Sequence, residues 1–325
     1  MKKQRLVALI IAVVMILGFV VVVVQKNGVN AENSFEFFSM DTVMKITYYG
    51  DDPEHKLQDR IHNYIYDLDN KLSVTNEQSE IYKLNNSSGE KIKVSDDTYE
   101  ILKRSVEIAK KTDGGFDPTI YPVVKLWGFT TGKYRVPPEN EIKNELKKVD
   151  YNNIELFDGN LVRIKPGTMV DLGACAKGYL SDRICEMIRE EGRTGIVSLG
   201  GNVQTVGTKP DGNAFVVGVV DPFDTKSIYK KVDSSDTAVV TSGNYERYFE
   251  EGGKRYHHIF DKSTGAPAQS GIASVTVSGE EGFLCDAYAT AIFVKGETLA
   301  RAFVSENPGY KVDIIYTDKS SKQIG

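Results

Sequence analysis

The chain is poor in cysteine, histidine and tryptophan, with 3, 4 and 1 of them in 325 residues. Cys175, Cys185 and Cys285 are too few and too scattered for a disulfide framework, and no Cys-x-x-Cys or Cys/His spacing suits zinc. All three read as small packed hydrophobes. A net charge of -5 offers no general basic field, which argues against a nucleic-acid partner. The phosphate-binding pattern GxxxxGK[ST], the metalloprotease HExxH and the G-x-S-x-G elbow are absent, and no acid pair stands out for glycoside hydrolysis. No internal repeat or low-complexity tract appears. What remains, 41% hydrophobic and 26% charged, is a globular composition with material for a sizeable core.

One long apolar run is present. Lys2, Lys3 and Arg5 precede an uninterrupted stretch from Leu6 to Val24. As a helix it spans roughly 28 Å, about one hydrocarbon core. The basic flank predicts a cytoplasmic N-terminus with everything after Gln25 outside. The run is longer than most cleaved signal regions, although Val29-Asn30-Ala31 is an acceptable cleavage site. No cysteine closely follows it, which excludes a lipid-anchored lipoprotein. The expectation is an uncleaved single-pass anchor at 6–24, a linker to residue 33, and one extracytoplasmic unit over 34–325.

Periodicity predicts strands at 35–38 and 43–49, then an amphipathic helix over 53–72 carried by Leu57, Ile61, Tyr64, Ile65, Leu68 and Leu72. A polar loop holds a short helical turn at 80–84, and Ser95 or Asp96 caps a helix to Lys111. Residues 137–149 read as a charged surface helix, and Asp158-Gly159 as a hairpin turn between strands at 154–157 and 161–164. Met169–Leu172 reads as a strand feeding a helix from about Ala174 to Glu190. Strands follow at 195–199, 203–206, 214–220, 228–232, 238–241 and 272–277, with a hairpin at 245–249 and 255–260. Helices from about 284 and over 297–305, then a strand at 312–316, close the chain. Without regular βα alternation the class is α+β, mostly antiparallel sheet with flanking helices, preceded by one transmembrane helix.

Asp286 and Thr290 are four apart on a predicted helix, so their oxygens share a face. A carboxylate beside a hydroxyl suits a hard cation such as Mg²⁺. The plain alternative is helix capping. At Asp171-Leu172-Gly173-Ala174 a predicted strand ends at an acid and small residues open a helix, whose first turn carries Lys177. That charge opposes the helix dipole unless an anion sits beside it. Ser198-Leu199-Gly200-Gly201-Asn202 places paired glycines after a strand. His257 and His258 fall on a predicted strand, so their rings point to opposite faces and only one can serve as base or ligand contact. His55 and His62 read as surface.

Taken in order, these stretches resemble the ApbE family, the FAD:protein FMN transferases, from about Met40 to Thr317. The resemblance rests on Met40-Asp41-Thr42, Ser79-Glu80-Ile81, Gly115-Phe116-Asp117-Pro118-Thr119 and Asp171-Leu172-Gly173-Ala174 with Ala176-Lys177-Gly178-Tyr179. It continues through Ser198 to Asn202, Thr241-Ser242-Gly243 with Tyr245-Glu246-Arg247, His258-Ile259 with Asp261, and Asp286 to Thr290. Departures are Asp41 where many members have Gly, Cys175 where an aliphatic is usual, and Lys262 in place of a common Pro, which is expected to loosen its turn. The resemblance implies a T-fold-like α+β unit that takes FAD as substrate, uses one or two Mg²⁺ ions, and transfers FMN to a Thr or Ser of an acceptor protein, releasing AMP. It implies metal ligation by Ala174 (through its carbonyl), Asp286 and Thr290. It implies FAD contacts at Met40, Ser79, Glu80, Ile81, Asp117, Asp171, Lys177, His258 and Ile259. His258, His257, Asp171 and Asp286 are the candidate bases. Implied acceptors are redox-complex subunits or extracytoplasmic electron-transfer proteins. A metal-dependent FAD pyrophosphatase, or a flavin-binding protein without catalysis, are the competing readings.

Overall fold

The computed structural model describes residues 31–325. The basic stub and the apolar run at 6–24 lie outside the described residues, and among those described no helix is long and apolar enough to cross a membrane. In chain order the elements are β1 (Glu32–Ser39), β2 (Thr42–Tyr49), α1 (Lys56–Leu72), α2 (Glu80–Asn85), β3 (Ile92–Lys93), α3 (Asp96–Lys111), α4 (Tyr121–Leu126) and α5 (Glu139–Leu146). Next come β4 (Ile154–Phe157), β5 (Leu161–Ile164), α6 (Ala176–Glu190), β6 (Thr194–Leu199), β7 (Asn202–Val206), β8 (Phe215–Asp221), β9 (Asp224–Ser234) and β10 (Ala238–Gly243). The chain ends with β11 (Tyr248–Glu251), β12 (Lys254–His257), β13 (Phe260–Asp261), β14 (Ala266–Pro267), β15 (Ile272–Gly279), α7 (Gly282–Lys295), α8 (Glu297–Glu306), β16 (Lys311–Tyr316) and β17 (Ser321–Ile324).

An eight-stranded sheet in the order β1-β2-β6-β7-β10-β15-β16-β17 organises the molecule, and its neighbours pair antiparallel throughout. The expected α+β class with mostly antiparallel sheet is what folds. Alternation along each strand sends one set of side chains toward the helices and the other away. On β10, Val240 joins the main core with Ile61, Ile184 and Ile292, while Val239 turns to the other face and packs with Val217 and Val219 of the β8–β9 hairpin. Helices α6 and α7 are packed against each other and against the sheet. The three cysteines are free and buried. The charged helix α5 buries none of its residues, as its composition predicts.

Three sequence expectations need correction. The linker is shorter than drawn, because β1 begins at Glu32 and pairs it with Tyr49. Met169–Leu172 joins no sheet. Val170 donates its N–H to Asn85 Oδ1 and its carbonyl accepts from the Asn85 amide, while the Asp171 N–H goes to the Pro118 carbonyl. The stretch is buried as a strand would be, but its partners are the Asn85 side chain and the Pro118 carbonyl instead of a neighbouring strand. Finally, β12 ends at His257, so His258 lies beyond the strand rather than on it.

Candidate active site

Two helices meet at the centre of the site through small residues. A Cβ on Gly178 of α6 would lie 2.4 Å from the Gly282 carbonyl oxygen and 2.8 Å from Asp286 Cβ, so only glycine permits this approach. Asp182, also on α6, accepts the N–H groups of Gly282 (2.7 Å) and Phe283 (2.9 Å). It thereby caps the start of α7, where Glu281 makes no side-chain cap of its own. Burial lifts its carboxyl to about 6 against the pull of those bonds.

The contact places Asp286, buried on α7, against the first turn of α6. Its Oδ2 accepts the Gly178 N–H at 2.9 Å. In a regular helix that N–H would bond to the carbonyl four residues earlier, which is Ala174. Because Asp286 takes it, the Ala174 carbonyl accepts no hydrogen bond from the described residues. Thr290, one turn along α7, has its hydroxyl 3.3 Å from that of Ser242. A buried carboxylate, a hydroxyl and an unclaimed carbonyl therefore gather in one corner. Burial raises the Asp286 pKa, opposed by Lys177, the Gly178 bond and the Asn202 amide. Asp286 is thus both a cap for α6 and a ligand candidate, and the two readings of it do not exclude each other.

Lys177 is the cation of this corner. Half-buried, among the described residues it reaches only the Gly173 carbonyl, at a long 3.5 Å. Its charge holds down the pKa values of Glu246, Asp286 and Asp171, and disfavours protonation of His258. Burial raises Asp171, against the Gly173 N–H bond and the charges of Arg247 and Lys177. Glu246, a motif residue in the sequence, joins the site here. Burial raises it to about 7, against Lys177 and with Asp286, so two carboxylates share one lysine. Its neighbour Arg247 lies 3.9 Å from Asp41. No sequence signal beyond the adjoining Ser242-Gly243, which ends β10, marks this pair, because the chain reaches the site there by a loop.

The two histidines separate cleanly. His258 Nδ1 lies 3.1 Å from the Arg247 carbonyl, which can only accept, so Nδ1 carries the proton and Nε2 keeps its lone pair. Burial and Arg247 push its pKa down to about 3. His257 is used inside the protein: Nε2 meets the Ala268 carbonyl at 3.2 Å, Nδ1 accepts the Ile259 N–H, and the ring sits edge-on to Phe293. Burial lowers it to about 4. Its unfolded pKa is about 6.5, so between these values the unfolded chain binds the extra proton. The resulting stabilisation is complete above about pH 6.5 and is lost as pH falls through 4, an amount of about 3 kcal/mol. The stability difference between wild type and His257→Gln, from urea midpoints, is expected to shrink by most of that between pH 7.5 and 4.5. A constant difference would show that this ring is not held neutral by the fold.

The remaining implied FAD contacts carry structural duties. Met40 and Asp41 form the tip of the β1–β2 hairpin with φ of 48° and 58°. A two-residue turn of this hand needs positive φ at both positions, a conformation that glycine adopts without strain and Asp tolerates. Ser79 caps α2 by accepting from Tyr82 N (2.8 Å), Glu80 accepts from the Ser95 N–H and hydroxyl, and Ile81 is wholly buried. Asp117 spends Oδ1 on Thr119 and Oδ2 on Lys262 Nζ at 3.0 Å. Lys262 therefore pins its turn to Asp117 instead of loosening it. The same loop meets Asp171 through the Pro118 carbonyl. Ile259 is buried beside His258. Asp171, Ala174, Lys177, His258, Asp286 and Thr290 form the corner, with Met40 joined to its rim through the Asp41–Arg247 contact. Ser79 to Ile81 cap and bury the start of α2, with Glu80 holding the Ser95 cap of α3.

Comparison with known proteins bears on this arrangement. A profile described as the ApbE family matches residues 40–314. The FAD:protein FMN transferase of Treponema pallidum is 32% identical over 299 residues, covering 86% of this chain and 83% of that protein. The Vibrio cholerae protein of the same name is 30% identical, covering 82% and 81%. Among solved structures, the ApbE protein of Thermotoga maritima superimposes with a TM-score of 0.84 at 34% identity, covering 90% of this chain and 96% of that one. The flavin transferase ApbE of Vibrio cholerae does so at 0.80 and 28%, covering 90% and 96%. With the match spanning nearly every element that builds the corner, the chain belongs to the ApbE family.

Proposed function

We propose that this protein transfers the FMN moiety of FAD to a Thr or Ser hydroxyl of an acceptor protein, releasing AMP, with Mg²⁺ as cofactor. The observation that carries the reading is the corner of Asp286, Thr290 and the unclaimed Ala174 carbonyl beside Lys177. Hard oxygen donors and a buried carboxylate fit a hard cation. Asp286, Thr290 and Ala174 would hold Mg²⁺, which when bound neutralises charge on the phosphate oxygens and the leaving AMP. Lys177 and Arg247 supply positive charge for the diphosphate. The acceptor oxygen forms a bond to the FMN phosphorus as the bond to AMP breaks. His258, whose Nε2 keeps its lone pair, takes the hydroxyl proton in this reading. At a pKa near 3 it is a weak base in the free protein, and the arriving diphosphate raises it by favouring the charged ring.

The test is incubation with FAD, Mg²⁺ and a co-expressed acceptor domain, following AMP release and the mass of the acceptor. One FMN added at a Thr or Ser, dependent on Mg²⁺, supports the reading. AMP release with no modified acceptor supports the pyrophosphatase instead, and FAD binding without AMP supports a carrier. His258→Ala is expected to slow acceptor modification by about 10²–10⁴-fold with FAD binding retained. A wild-type rate removes His258 from proton transfer.

The sequence of residues 2–24 supports an anchored domain outside the cytoplasm, drawing FAD from that side and meeting extracytoplasmic or membrane-bound redox partners. Protease accessibility of the domain in intact cells tests this.

A further inference from the structure

We propose that Asn202 is a positioning residue for Asp286, completing the donor pair that aims this carboxylate at a divalent cation. The inference rests on the reading of the corner as a cation site. Asn202 opens β7 directly after Gly200 and Gly201, whose φ of 57° and 85° form the tight turn from β6. Its register opposite Val240 of β10 fixes its backbone. The side chain is 0% exposed, and both Nδ2 and Oδ1 lack a hydrogen-bond partner among the described residues. Its side chain shares the helix-facing side of the sheet with Val240 and Gln204, and Gln204 bonds Ser181 and Asp182 at the contact of α6 with α7 that also holds Asp286.

Leaving a buried amide unpaired costs about 1–3 kcal/mol. A leucine of similar size would avoid that cost, so a polar group kept here calls for a partner that arrives later. Asp286 is gripped by one backbone donor, the Gly178 N–H on Oδ2. A carboxylate held at one oxygen can still turn about its terminal torsion, which is broad. A second donor, Asn202 Nδ2 on the other oxygen, fixes the plane once an ion draws the carboxylate into line. The acceptor Oδ1 is then left to accept a hydrogen bond from water around the ion, since Mg²⁺ keeps several waters. Partners of this sort, one step behind the ligands, commonly change metal affinity by 10- to 100-fold.

The test uses cation binding and stability. Mn²⁺ binding is measured from the free-ion electron paramagnetic resonance signal without FAD, and thermal unfolding is followed in EDTA and in excess Mg²⁺. Asn202→Leu is expected to weaken Mn²⁺ binding about 10- to 100-fold, with a Tm in EDTA at or above wild type. A purely structural role predicts the opposite, a lower Tm in both conditions with Mn²⁺ affinity intact, and that result overturns the proposal. Asn202→Asp puts a second carboxylate beside Asp286, so its Tm should fall in EDTA and rise further than wild type with Mg²⁺. Should the Leu variant not fold, the Asp variant decides, because a cation shift equal to wild type overturns the role. Asp286→Ala separates the two levels: Mn²⁺ binding unchanged in that variant rejects the cation site itself.

Discussion

Asp286→Asn is expected to reduce Mg²⁺-dependent AMP release and acceptor modification by a thousand-fold or more, while the folded protein becomes no less stable. The amide keeps the shape of the carboxylate and can still accept the Gly178 N–H through its oxygen. What it loses is a full negative charge against the cation. Several kcal/mol of transition-state stabilisation depend on that charge, and each 1.36 kcal/mol is about tenfold in rate. Stability moves the other way. Burial raises the Asp286 pKa above its unfolded value, so the favourable contribution is complete below the unfolded pKa and is lost as pH rises through the folded one. At neutral pH without cation the charged form is a cost that asparagine removes. Added Mg²⁺ should raise the Tm of wild type and leave the variant unmoved. An Asn variant that retains a tenth of wild-type activity would place the cation elsewhere.

The elements that build this corner differed in how plainly the sequence showed them. Helix α1 was plain because Leu57, Ile61, Ile65, Leu68 and Leu72 repeat at helical spacing and are all buried. The turn after β6 was plain because paired glycines permit positive φ. Helix α7 was harder, being buried nearly all round and so without a polar face to give a period. Its Asp286 and Thr290 stood out by spacing, but nothing local showed that Asp286 would engage another helix 108 residues away in sequence. Asp182 was invisible for the same reason, since it caps α7 from α6. The choice between His257 and His258 turned on where β12 stops and on the Arg247 carbonyl, neither of which periodicity can reach. Long-range pairings of single side chains with backbone groups decide the site, and they leave no repeat in the chain.

Gly178→Ala should show how tightly fold and site are joined. Within a helix the exchange ordinarily stabilises by up to about 1 kcal/mol, through propensity. Here the added carbon would sit 2.4 Å from the Gly282 carbonyl oxygen, 2.7 Å from its carbon and 2.8 Å from Asp286 Cβ. The first two neighbours are backbone and cannot swing aside, so α6 and α7 must separate. Overpacking of this kind costs about 1–3 kcal/mol and occasionally more, and the parting helices also stretch the Gly178–Asp286 and Asp182–Gly282 bonds. The steric cost outweighs the propensity gain. A fall in Tm on the order of 2–5 °C is expected for a domain of this size, together with loss of the Mg²⁺-induced rise in Tm. The second readout matters more. A variant that is destabilised but still gains normally from Mg²⁺ would mean that the carboxylate keeps its aim when α6 and α7 part, and the backbone grip on Asp286 would then not be what prepares the site.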